Sequence, residues 1–249
     1  MDEFAARLQY DHAMKTPDRL ADKLPLYIGL RRYSAAEFLV ILILFFICAP
    51  ILESLRYGLV WESAFMTVVL ISGVLAVGKS RRTLALAIIF SVPALVARWS
   101  YHLRPGDVPI EYALASSLLF VAFLIYRFLG FVLRAPRVNS EVLCAGVSTY
   151  LLLGLLWSFA YRLMAELDPH AFVFTVSAIP SEPLVGYKAI YFSLITLTTV
   201  GYGDIVPASN VARMLAAMEA ITGTLFITVL IARLVALYSS HAAQTEADE

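Results

Sequence analysis

Gly201 and Gly203 flank Tyr202, Thr198 and Thr199 precede them, and Asp204 follows, in the stretch TLTTVGYGD at 196–204. The chemistry such a stretch offers is coordination by main-chain oxygen. Glycine reaches backbone angles closed to other residues, which lets successive carbonyls turn toward one side. Four copies around a fourfold axis would stack rings of carbonyl oxygens able to replace the hydration shell of an ion. Nothing else in the sequence offers chemistry of its own. No nucleophile–base pair and no metal cluster stands at usable spacing, so an enzyme is not expected. Cys48 and Cys144 lie inside apolar runs and read as small hydrophobes. The net charge is zero and no basic tract is present, so nucleic acid is not an expected partner.

The elements that must carry this loop are membrane elements. Of 249 residues, 60% are hydrophobic and 15% charged, and the mean hydropathy is +0.78, the profile of a chain that crosses a bilayer repeatedly. Six apolar spans lie near 36–55, 58–78, 83–103, 110–133, 141–163 and 210–238. A lipid-facing backbone must satisfy its own hydrogen bonds, so these spans are helices; no alternating barrel pattern is visible. The expected fold is an all-α membrane protein with six transmembrane helices. The run YKAIYFSLITLTT before the glycines is too short to cross a bilayer needing about 20 residues. It suits a re-entrant helix that enters, stops midway and leaves the glycine loop where protein or water can line it.

Lys and Arg set the orientation. With the amino terminus inside, inner segments hold Lys15, Arg31, Arg32, Lys79, Arg81, Arg82, Arg134 and Arg137, and outer segments fewer. Both termini are expected in the cytoplasm of a multi-pass protein of the cell membrane. The opening residues have no basic region before an apolar core, so no cleaved signal peptide is expected. The chain divides into a cytoplasmic segment at 1–34, a four-helix peripheral domain at 35–136, a pore domain at 137–240 and a short cytoplasmic tail at 241–249. From the length of the two end segments, no nucleotide- or calcium-binding domain is expected at either.

With YFSLITLTTVGYGDIVP read in this setting, the sequence resembles the potassium channel family, over roughly 141–238; the first four spans match only in number and topology. The resemblance implies a homotetramer in the lipid bilayer, with a selectivity filter at Thr199, Val200, Gly201, Tyr202 and Gly203. It implies K+ bound by the carbonyls of Thr199, Val200, Gly201 and Tyr202 and by the Thr199 hydroxyl, as permeant ion; no cofactor is implied. Val200 and Tyr202 side chains would pack behind the filter. Thr198, Asp204 and Tyr191 would support it. Related nonselective channels carry an acidic residue at the place of Tyr202. Two departures stand out: Tyr191 and Phe192 replace the tryptophan pair of many members, and Ile195 replaces the glutamate of some. Tyr191 could still donate to Asp204. Voltage sensors in the family repeat Arg or Lys every third residue; the fourth span has Arg127, with Arg134 and Arg137 near the linker, so weak voltage dependence is expected.

Other positions keep two readings. Gly223, the only glycine of the last span, matches the family's gating hinge, or packs closely as a small residue. Thr224, Ile227 and Ile231 could line a cavity or touch lipid or the re-entrant helix. Glu219 lies four residues before Gly223, at a depth where a carboxylate needs water or a partner. It either braces the re-entrant helix through Ser193 and Thr196 or forms a ring facing the cavity. Arg98 and Glu62 could pair between helices, though charges that snorkel from the span ends are the favoured reading. Trp157 and Tyr161 are interface anchors or pack on the re-entrant helix. The expected function is a potassium-selective channel. The alternatives are a weakly selective cation channel and a non-conducting membrane sensor or regulatory subunit.

Overall fold

Ser34 opens the first helix with a reciprocal cap: its hydroxyl accepts from Glu37 N at 3.2 Å and its own N–H donates to Glu37 Oε2 at 3.1 Å. The computed structural model describes residues 34–56, 58–77, 81–103, 109–175 and 183–248. The segment expected over 1–34 therefore lies, except for Ser34, outside the described residues. The helices are α1 (Ala35–Glu53), α2 (Gly58–Val77), α3 (Arg81–Leu103), α4 (Ile110–Arg134), α5 (Ser140–Leu167), α6 (Tyr187–Leu197) and α7 (Asn210–Asp248). Six of them, all but α6, are long and apolar enough to cross a membrane, and the protein is an all-α membrane protein.

Helical spacing decides which faces pack. Phe38, Leu42, Phe45 and Ala49 form the buried stripe of α1. Phe38 stacks on Phe128 of α4 at 5.1 Å between ring centroids, and Phe45 on Phe65 of α2 at 5.8 Å. The α4 stripe of Leu114, Ser117, Val121, Leu124, Phe128 and Val132 faces inward at the same helical spacing. Pro136 follows Ala135, the extended residue that ends α4, where a helix cannot continue through it. Asn139 then caps α5, its Oδ1 accepting from Val142 N at 3.0 Å. This short turn lays α4 along α5 of the same chain, the largest helix–helix contact in the fold.

α5 is the central element, with α1, α4, α6 and α7 all packed on it. In its most apolar stretch 61% is buried, against 6% for α7, so α7 presents most of its length outward. α7 also runs on to Asp248, so the expected tail at 241–249 begins as helix. Strands β1 (Phe172–Phe174) and β2 (Ile205–Pro207) pair antiparallel, Val173 opposite Val206, one on each side of α6 in sequence.

Candidate functional site

Eleven residues of α6 end in the loop singled out in the sequence. The loop spends its N–H groups on the helix it leaves: Thr198 N bonds Leu194 O at 3.1 Å, Thr199 N bonds Thr196 O at 2.9 Å, and Val200 and Gly201 N–H both reach Ile195 O, at 2.9 and 3.1 Å. Among the described residues, nothing donates to the carbonyls of Thr199, Val200, Gly201 and Tyr202. φ is +60° at Thr199, +53° at Gly201 and +79° at Gly203. Alternating the sign of φ along an extended run keeps successive carbonyls on one side, where L-residues alone would alternate. Thr199 holds a left-handed backbone without being glycine, a strained state that the surrounding hydrogen bonds must impose. A row of carbonyl oxygens without donors is a ligand set for a hard cation.

Beyond the loop, the β-ribbon fixes its far end. Thr175 follows β1; its Oγ1 donates to Gly203 O at 2.7 Å and its N–H to Asp204 O at 2.8 Å. Asp204 is held from the other side, where the Tyr191 hydroxyl donates to its Oδ2 at 2.7 Å.

Behind α6, Glu219 of α7 is fully buried. Its carboxylate accepts from Ser193 Oγ at 2.5 Å and from the Tyr161 hydroxyl. Ser193 Oγ also lies 2.6 Å from Gly154 O, so the two acceptors share its one proton and the hydroxyl sits between α5 and α7. Thr196, expected as a second partner, instead bonds Phe192 O in its own helix at 2.7 Å. Its place is taken by Tyr161, whose ring is 4.9 Å from Phe192 and 5.7 Å from Phe172. Of its two readings, Tyr161 therefore has the second, packing on α6. Gly223, one turn beyond Glu219, is buried against Leu197.

Thr224, Ile227 and Ile231 are exposed along α7, as are Val200 (53%) and Tyr202 (72%) on the loop. No element of the described chain covers these side chains.

At the end of the helices nearest the start of α6, Arg98 of α3 lies 3.8 Å from Glu62 of α2, and Arg162 of α5 lies 4.0 Å from the same oxygen, Glu62 Oε1. Arg98 and Glu62 are buried, 7% and 8% exposed. The snorkelling favoured from sequence is thus wrong: both charges sit in protein, and each offsets the other's desolvation. Sequence reasoning also missed Thr175, and missed Glu53 as a partner of α6: Tyr187 N donates to Glu53 Oε2 at 2.9 Å. The sequence signal was only that Glu53 ends an apolar span and must face something polar.

Residues 149–240 match a family described as Ion channel. The chain is also similar to the rice (Oryza sativa subsp. japonica) "Two pore potassium channel c", 39% identical over 62 residues, 25% of this chain and 13% of that protein. It is similar to the Arabidopsis thaliana "Two-pore potassium channel 4", 45% identical over 47 residues, 19% and 16% of the two chains. A third likeness is to the "Calcium-gated potassium channel TvoK" of Thermoplasma volcanium, 49% identical over 37 residues, 15% and 11%. The chain spans 11% to 16% of the length of these three relatives. No solved structure matches it.

Proposed function

With residues 149–240 matching a family described as Ion channel, we propose that four copies of this chain form a potassium-selective channel in the cell membrane. The loop 199–203 is its filter and α6 its pore helix. The observation that carries this reading is the loop's division of labour: the N–H groups of Thr199, Val200 and Gly201 are bonded back to α6, and among the described residues nothing donates to the carbonyls of Thr199, Val200, Gly201 and Tyr202. Around a fourfold axis those carbonyls, with the Thr199 hydroxyl, replace water around potassium. The assembly is supported by what one subunit leaves uncovered. Tyr202 and Val200, which on this reading pack behind the filter, stand exposed, as does most of α7. Neighbouring subunits would cover them, leaving Thr224, Ile227 and Ile231 toward the cavity.

α1–α4 form the peripheral domain, 35–136, and the pore domain follows at 137–240. The Lys and Arg distribution supports a cytoplasmic position for both termini. Glu219 braces the pore helix through Ser193 and Tyr161; its burial argues against a carboxylate ring facing the cavity. Asp204 and Tyr191 hold the outer mouth, Thr198 the lower turn.

Purified protein in liposomes tests the reading. Potassium flux should far exceed sodium flux, and internal barium should block it near Thr199. Equal permeability leaves a weakly selective cation channel; no flux from intact tetramers leaves a non-conducting sensor or regulatory subunit.

A further inference from the structure

The pore helix begins without a cap of its own. Gly186, which precedes it, has no side chain to accept from the first free N–H groups, and φ there is +57°. Helices of ordinary sequence take that acceptor from Ser, Thr, Asp or Asn at this position. Here it comes from a residue 134 positions away: Glu53 Oε2 accepts from Tyr187 N at 2.9 Å. The fit is mutual. A Cβ on Gly186 would run into the Glu53 carboxylate oxygen and come within 3.0 Å of its Cδ. The carboxylate fills the space that the glycine leaves, and the glycine is required twice, for its φ and for that space.

We propose that Glu53, a residue of the peripheral domain, is a positioning residue of the pore: through it the four-helix domain sets the seat of the pore helix and thereby the stability of the conducting filter. The inference rests on the channel reading and adds to it a physical route from the first four helices to the filter.

Three observations carry it. The first is electrostatic. A helix amino terminus bears about half a positive charge, and a carboxylate on it is stabilising. Glu53 does not stand alone there. The positive charges of Lys188 and Arg162 and the negative charge of Glu62 act on it. Arg98 and Arg162 converge on Glu62 Oε1, and Arg98 Nη1 also reaches Ser63 Oγ at 3.4 Å. The end of α1, α2, α3, α5 and the start of the pore helix thus meet in one group of charges. A shift of any of these helices changes the field and the geometry at Glu53.

The second is mechanical. α1 is fastened to the pore domain at both ends by the same kind of bond. At its start, Ala35 N donates to Glu141 Oε2, on the first turn of α5, at 2.8 Å. At its end, Glu53 accepts from the pore helix. α1 is therefore a strut running from the start of α5 to the start of the pore helix. Displacement at the Glu141 end is delivered at Tyr187.

The third is the filter's dependence on α6. Thr198, Thr199, Val200 and Gly201 all bond back to carbonyls of Leu194, Ile195 and Thr196. A tilt of the pore helix at Tyr187 must move the acceptors that hold the filter backbone.

The test uses full-length tetramers in planar bilayers, reading single-channel open lifetimes and the potassium-to-sodium permeability ratio together. Glu53→Ala removes the acceptor and should change mean open lifetime about tenfold, the size of one hydrogen bond to a charged group, with the permeability ratio unchanged. Glu53→Gln keeps an oxygen acceptor and should fall between. Gly186→Ala should harm conduction more. Adding Glu53→Ala to it should recover part of that loss, because the clash then disappears while the strain in φ remains. Tetramer integrity on size-exclusion chromatography separates these effects from misfolding. Wild-type open lifetimes in intact Glu53→Ala and Glu53→Gln tetramers would overturn the inference, as would strict additivity with Gly186→Ala. If the wild-type protein itself failed to prefer potassium over sodium, the channel reading would fall first, and the same recordings report that separately.

Discussion

Gly223 of α7 lies against the carbonyl of Leu197, the last residue of the pore helix. A Cβ at 223 would collide with that oxygen and stand 2.9 Å from Leu197 Cδ1. The Tyr150 hydroxyl approaches the same carbonyl at 3.4 Å. Gly223→Ala should therefore force α7 away from the base of the filter. Overpacking of this kind costs about 1–3 kcal/mol, and the thermal midpoint of the purified tetramer should drop. A hinge acting only through backbone freedom would leave that midpoint unchanged and alter gating alone.

Gly201 is a different case. Among the described residues of one subunit no atom lies within 4 Å of a Cβ built there, and φ is +53°. Gly201→Ala should abolish potassium flux, because an L-residue held in the left-handed region is strained by about 1–2 kcal/mol. A semisynthetic chain with D-alanine at 201 prefers positive φ and should conduct. Loss of flux in the D-alanine protein would show that space, not conformation, decides this position.

Thr175 is the tie between the β-ribbon and the top of the filter. Thr175→Val keeps the shape and removes the hydroxyl that donates to the Gly203 carbonyl. The carbonyl is then free to rotate, and potassium current should decay faster during sustained opening. Unchanged decay would mean that the Thr175 N–H bond to Asp204 suffices.

Glu219 receives two hydroxyl donors, Ser193 and Tyr161. Glu219→Gln leaves only one carbonyl oxygen for both and turns an NH2 group toward one of them. An orphaned buried polar group costs about 1–3 kcal/mol. Open lifetimes should change while block by internal amines stays as in the wild type. Weaker amine block with lower conductance would place the carboxylate in the cavity field instead.

The sequence by itself determined the six spans, the re-entrant helix and the loop. Each is written in local terms: apolar runs of membrane length, one run too short to cross, and glycines at alternate positions. It also restricted Glu219, since a carboxylate in an apolar helix needs a partner somewhere. Which partner was not local information. Ser193 and Thr196 sit three apart on one helix, and only the rotation of α6 against α7 turned Ser193 to Glu219 and left Thr196 to its own backbone. Tyr161, Thr175 and Glu53 come to the site from other elements, the last from 134 residues away. Periodicity says that a residue faces inward but not what it meets there. For Arg98 and Glu62 the span ends alone favoured solvent; packing of α2 on α3 instead brought these opposite charges within reach inside the protein, with Arg162 of α5 4.0 Å from the same carboxylate oxygen. Those pairings depend on how helices distant in sequence lie side by side, which only the tertiary structure decided.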